Sequence, residues 1–195
     1  MNKEKMKNKD VFFENSPDHF EKYQGKLISA SEIKQIDFSG LRVAIIGANQ
    51  LSVTHLDLIC QSAEFVKVFQ IRPHFVLPHT EKGIQRLISH PLLVKNRRLF
   101  NNRVKSLLAI RYLESQVADV WLRRQLMPNS ASERKVFLKS DTYYSALQNS
   151  NCKLITWPVV KITEDAIQSM EGIEHLVDVI VQTYDWYFLA EDTDA

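Results

Sequence analysis

The sequence predicts an α/β fold: a Rossmann-like three-layer domain with a mainly parallel sheet, a helical insertion and a small β-hairpin layer. Three observations carry the expectation. Residues 42–47 (RVAIIG) form a β-branched run ending at a glycine, the pattern of a strand buried on both faces. Residues 51–65 then place Leu51, His55, Leu58, Ile59 and Ala63 at helical spacing, which predicts a helix with that set facing inward. Residues 65–70 (FVKVFQ) alternate as a second strand. Strand, tight turn, helix, strand is a βαβ unit, and its crossover should be right-handed.

The remaining elements follow in chain order. Residues 1–10 (MNKEKMKNKD) are polar and without period, so 1–19 reads as a flexible leader. Residues 11–40 look irregular apart from an extended piece at 26–28 and a turn at Ser39-Gly40. Residues 71–78 read as a proline-bounded loop. Residues 80–127 read as helical, most clearly 104–127, where Leu107, Leu108, Tyr112, Leu113, Val117 and Trp121 mark one broad apolar face. Residues 129–132 break that helix. A further helix is expected over 140–148, capped by Ser140 or Asp141, with Tyr143 and Tyr144 pointing one inward and one outward. Short strands follow at 152–156, 159–163, 167–170 and 176–182, the hairpin-like middle of the set lying over the parallel sheet. The Rossmann domain thus runs over 20–188, and 189–195 is an acidic tail.

Composition narrows the function. The 195 residues suit one generous domain, and 45% hydrophobic with 25% charged residues is ordinary for a globular protein. No apolar run is long enough to span a bilayer and no secretory leader is visible, which predicts a cytoplasmic protein with no membrane partner. Cys60 and Cys152 are far apart in sequence and match no metal-ligand spacing, so they read as reduced, buried thiols. His74 and His79 flank a loop without a neighbouring metal-ligand set, and no metal is expected. The net charge of +2 demands no polyanion. The basic cluster Lys95, Arg97, Arg98, Arg103 and Lys105 lacks interleaved aromatics, so it reads as a solvated helix face and not a nucleic-acid interface. No Ser–His–Asp or Cys–His arrangement is visible by motif, so no catalytic residue is assigned.

Glycine is the informative shortage. The chain has five, and no two are close enough to make Gly-x-Gly. In a dinucleotide site the first glycine of G-x-G-x-x-G makes the turn, the second admits the pyrophosphate and the third lets helix pack on strand. Here the hexad is Gly47-Ala48-Asn49-Gln50-Leu51-Ser52, in which only the first glycine stands. Asn49 tolerates a positive φ, but its side chain enters the space phosphates would use. Ser52 is small enough for close packing, and amides at the helix N-terminus still attract anions. At the end of the second strand a NAD site would offer a carboxylate to the ribose. This chain offers Gln70 and Arg72, which suits a 2′-phosphate.

Several segments, in order, resemble the flavin-dependent monooxygenases of the Baeyer–Villiger group through their NADPH-binding domain. GLRVAIIGANQ is similar to that family's GKRVAVIGTGSTG, and VFQIRPHFVLP to VFQRTPNYVLP. LRRQLMPNSASERKVFLKSDTYYSAL resembles the segment with a paired Tyr-Tyr, and VKITEDAIQSMEGIEHLVDVIVQTYDW the strand pair, turn and strand ending in Ala-Thr-Gly-Phe. The resemblance covers roughly residues 20–188. Departures are equally clear. The family stretch F-x-G-x-x-x-H-x-x-x-W stands here as Tyr23-x-Gly25, with Ser29 at the His position and Ile33 at the Trp position. The expected phosphate-binding Arg falls on Ile71 with Arg72 beside it, and the Gly of Ala-Thr-Gly is Tyr184.

The resemblance implies an NADP(H)-binding domain with Gly47–Ser52, Gln70 and Arg72 as its cofactor residues. No FAD-type G-x-G-x-x-G is present, so FAD is not expected in this chain alone, and without flavin the chain should be inactive by itself. Three readings stay open: a degenerate NADP-binding domain, a non-enzymatic interaction module on the same fold, and one subunit of a split FAD/NADPH monooxygenase. The expected partner is accordingly a second copy in a homodimer or a separate FAD-binding chain.

Overall fold

The computed structural model describes residues 20–79, 102–132 and 134–183. The leader, the basic cluster at 95–98 and the tail lie outside the described residues. Five parallel strands form the central sheet: β1 (Lys26–Ser29), β2 (Arg42–Ile46), β3 (Phe65–Phe69), β6 (Cys152–Ile155) and β10 (Val179–Gln182), in the spatial order β1-β10-β2-β3-β6. Helix α1 (Gln50–Ser62) carries the chain from β2 to β3, completing the βαβ unit. Strands β7 (Val159–Ile162), β8 (Ala166–Ser169) and β9 (Glu174–Leu176) form the small antiparallel sheet.

Strand β2 shows how the sequence builds these layers. Its side chains alternate, and each face finds a different partner. Val43 and Ile45 join the core under α1, with Val53, Leu56 and Ile59. Ala44 and Ile46 face the antiparallel sheet, meeting Phe69, Ile155, Ile162, Ile167 and Ile180. Burial on both sides is why the run has no polar residue after Arg42, each full burial of such a side chain stabilising by about 1.5–3 kcal/mol. Arg42 anchors the start of the strand to Asp178. Its backbone N–H donates to Oδ2 (2.8 Å), and its guanidinium forks onto both carboxylate oxygens (3.0 and 2.6 Å). That contact holds the Asp178 carboxyl below the usual carboxylate range.

Several expectations are corrected. The inward face of α1 is Ser52, Val53, Leu56, Ile59 and Cys60, while Leu51 and Leu58 are exposed and His55 is half-buried. Starting the helix at Gln50 after an Asn49 cap sets this rotation. The helical run over 104–127 breaks into α2 (Asn102–Gln116) and α3 (Val120–Gln125). Asp119 causes the break: its carboxylate accepts from the amides of Trp121 and Leu122, starting a new helix. Arg123 then returns to the carbonyls of Val117 and Ala118, and Trp121 is left exposed on α3. The loop at 71–78 contains strand β4 (Phe75–Leu77), which pairs in parallel with β5 (Phe137–Lys139) under α2. The run at 176–182 is divided, since Val177 and Asp178 separate β9 from β10.

Tyr143 and Tyr144 do not split; both are buried. They lie on α4 (Tyr143–Ala146), too short to present a solvent face and packed against both α1 and α2. Tyr144 lies between the rings of Tyr112 and Tyr143, at centroid distances of 5.6 and 5.5 Å. Ser140 serves the start of this helix, its Oγ accepting from the amides of Thr142 and Tyr143.

The antiparallel sheet contains one buried imidazole. His175 packs edge-on to Phe69 (5.4 Å) and its Nε2 meets Ser169 Oγ at 3.3 Å. Burial, and then the ammonium groups of Lys67 and Lys153, hold its pKa below the ordinary value, against the pull of Glu171. A depressed folded-state pKa means that its contribution is intact above the unfolded value of about 6.5. The contribution is then lost as pH falls towards the folded value. Urea unfolding of wild type should therefore weaken more steeply from pH 7 to pH 5 than that of His175→Gln; equal slopes would contradict this.

Candidate functional site

The chain leaves β2 towards β3 on one side, while β10 lies on the other side of β2. The carboxyl ends of β2 and β10 therefore flank a topological switch point, the crevice where open parallel sheets bind ligands. Gly47 sits there with φ +83°, a conformation that costs an L-residue about 1–2 kcal/mol. Its N–H donates to Phe69 O (2.9 Å), pinning the turn between β2 and β3. Thr183 closes the other side, its N–H (3.2 Å) and Oγ1 (2.9 Å) both donating to Ile46 O.

The rest of the turn is bonded to itself. Asn49 has φ −121° and caps α1: its Oδ1 accepts from Ser52 N–H (2.9 Å), while Ser52 Oγ accepts from Asn49 N–H (3.0 Å). This capping box engages two amides at the very end an anion would approach. Ser52 is buried, Ala48 is buried and Leu51 is exposed. Gln50 reaches across to β5: its Nε2 donates to Lys139 O (2.7 Å) and its Oε1 accepts from Lys139 N–H (3.0 Å). Its side-chain amide thus behaves like one residue of a β-ladder, fastening α1 to β5.

The other two candidates part company. Gln70 is 5% exposed, its Oε1 accepting from Tyr143 Oη (2.7 Å) and its Nε2 donating to Arg72 O (3.2 Å). Arg72 is exposed, just beyond the end of β3. Sequence reasoning did not anticipate Tyr143 as the partner of Gln70, Lys139 as the partner of Gln50, or Thr183 as the seal on Ile46. Only Thr183 carried a signal, as the Thr of the Ala-Thr-Gly position.

The family-like stretch at 23–33 has structural roles throughout. Tyr23 Oη donates to Val177 O (3.1 Å). Ser29, at the His position, caps a 3-10 helix (Ala30–Gln35) with a reciprocal box in which Glu32 accepts from Ser29 N–H (2.7 Å). Ile33, at the Trp position, is 1% exposed in the core. A cleft of about 340 Å³ lies at the opposite end of the sheet from the turn, bordered by Arg42, Phe65, Lys67, Glu174 and Leu176. Burial lowers the Lys67 pKa there. Among the described residues, no cluster of three metal-ligating side chains occurs, and no helix is long and apolar enough to cross a membrane.

A parallel sheet with this strand order, a glycine turn into α1 and a switch point between β2 and β10 together define a Rossmann-type α/β domain. Its relatives are Baeyer–Villiger and FAD-binding monooxygenases, and the chain corresponds to a part of them. It is 28% identical over 187 residues to a Baeyer–Villiger monooxygenase of Pseudomonas aeruginosa, covering 84% of this chain and 36% of that protein. It is 30% identical over 185 residues to the FAD-binding monooxygenase ktnD of Aspergillus niger, covering 82% and 30% respectively. The chain thus spans about a third of the length of these curated relatives. Among solved structures, an oxidized steroid monooxygenase bound to NADP superimposes with a TM-score of 0.67 at 18% identity, over 85% of this chain and 43% of that one. A closed form of cyclohexanone monooxygenase gives 0.67 at 17% identity, over 89% and 44%. These likenesses establish the fold. No family model matches the chain.

Proposed function

We propose that this chain is an NADP(H)-binding-type domain of the flavin monooxygenase kind whose dinucleotide affinity is strongly weakened, and that it performs no oxygenation by itself. The observation that carries the reading is the self-bonded turn. Asn49 and Ser52 occupy each other's amides, and the Gln50 side chain is committed to Lys139. A pyrophosphate approaching α1 must displace the Asn49 side chain before it reaches the Ser52 amide. The residues present therefore do not fit a complete dinucleotide cradle, and no chemical step is assigned through NADP(H). Arg72 is the residue that would meet a 2′-phosphate, while Gln70 supports Tyr143 from inside the fold.

Flavin chemistry would have to come from elsewhere, since no G-x-G-x-x-G occurs in the chain. A separate FAD-binding chain is the partner this reading implies for oxygenation, and a homodimer is the alternative assembly. The same self-bonded turn also supports a second reading, a non-enzymatic interaction module built on the fold. The purified protein is expected to be colourless and to show no NADPH-dependent oxygen consumption, with or without added FAD. A flavin spectrum co-purifying at near-stoichiometric level, or NADPH-dependent oxygen uptake, would overturn the proposal.

A further inference from the structure

The end of the sheet opposite the glycine turn carries a cation without a counter-charge. Side chains alternate along β3, so Phe65, Lys67 and Phe69 share the face that meets the antiparallel sheet. Phe69 enters the core there, while Lys67 stops at its edge, half-buried. The parallel register sets Lys67 beside Ala44 on β2 and beside Lys153 on β6. Like charges side by side on strands about 4.8 Å apart repel each other. Among the described residues no carboxylate pairs with either lysine, and the Lys67 ammonium rests over the Phe65 ring at 5.5 Å. Arg42, the other cation on the cleft, is already neutralised by its fork onto Asp178. Burial, then Lys153 and Arg42, hold the Lys67 pKa below the ordinary lysine value, and neither rim carboxylate, Glu64 or Glu174, offsets them.

We propose that the cleft of about 340 Å³ bordered by Lys67 binds a small monocarboxylate with an apolar body, of the size of one aromatic ring on a short chain. The carboxylate accepts from the Lys67 ammonium in a charge-assisted hydrogen bond, and exposed Lys153 adds to the attraction from the neighbouring strand. The apolar body lies against Phe65, Leu176 and Val177, and Leu176 is 47% exposed without it. The volume sets the size of the ligand, since it falls at the small end of the roughly 300–1,000 Å³ of ligand cavities. Charge sets the class. One unpaired ammonium in the cleft matches one negative charge, whereas a phosphate dianion needs more donors and the Arg42 fork is taken by Asp178. The site shares no residue with the crevice at Gly47.

The test titrates the full chain with 3-phenylpropanoate and follows it by NMR. Saturable binding is expected with a dissociation constant no weaker than about 1 mM, with the shifts centred on Phe65, Lys67, Leu176 and Val177. Lys67→Met keeps the apolar stem, removes the repulsion with Lys153 and should weaken binding by roughly tenfold. The uncharged 3-phenylpropanamide should bind the wild type roughly tenfold more weakly than the acid, and the variant no better. Absence of saturation at 10-fold that concentration, about 10 mM, would overturn the proposal. So would shifts centred on the Gly47 turn, or equal affinity for acid and amide. The comparison of acid with amide on the wild type decides the matter even where the variant fails to fold.

Discussion

Replacing Asn49 with glycine is expected to tighten NADPH binding by about tenfold, equivalent to roughly 1.4 kcal/mol. The substitution restores the second glycine of the hexad and removes the Oδ1 that now occupies the Ser52 amide. It frees that donor at the N-terminus of α1 and opens the space a pyrophosphate needs. Stability should change little, because glycine in place of a good N-cap costs only about a few tenths of a kcal/mol. Gly47 already provides the left-handed turn and Ser52 the close packing, so the remaining geometry is in place. Calorimetric titration of both proteins checks this. An affinity unchanged or lowered in a stably folded Asn49→Gly would show that the capping side chain is not what limits the site.

The largest effect on folding is expected from Gly25→Ala. An added Cβ would overlap the Oη and Cζ atoms of Tyr23 and lie 2.7 Å from Asp178 O. Tyr23 can swing only by giving up its bond to Val177 O, and Asp178 O accepts from Lys26 N–H (2.9 Å), so it cannot retreat without disturbing β1. Overpacking of this kind costs about 1–3 kcal/mol, a fall of roughly 3–10 °C in thermal midpoint for a chain of this size. Urea and thermal unfolding should agree on the loss. A change smaller than about 0.5 kcal/mol, the range of ordinary surface substitutions, would contradict a packing role for this glycine.

Much of the fold was legible because hydrophobic period and glycine placement are local signals. RVAIIG followed by a helical pattern and FVKVFQ could hardly be other than β2, α1 and β3, and Gly40 and Gly47 both adopt the positive φ their turns require. What was not legible depended on side chains meeting across the fold. Asp119 looks like any polar residue until its carboxylate is seen capping α3, so two helices read as one. The β4–β5 pair joins segments far apart in sequence through short runs, FVL and FLK, that carry no period of their own. At the site, Gly47, Asn49 and Ser52 were visible in the hexad, but the cap that ties Asn49 to Ser52 and the internal commitments of Gln50 and Gln70 were not. The two glutamines depend on partners, Lys139 and Tyr143, that the intervening sequence separates from them.

Whether the self-bonded turn admits a dinucleotide is tested most directly by titration of the purified chain with NADPH. A dissociation constant no tighter than about 0.1 mM is expected, with NADH weaker still and the difference between the two abolished in Arg72→Ala. Low-micromolar binding of NADPH by the wild-type chain, or equal affinity for NADH, would contradict the account.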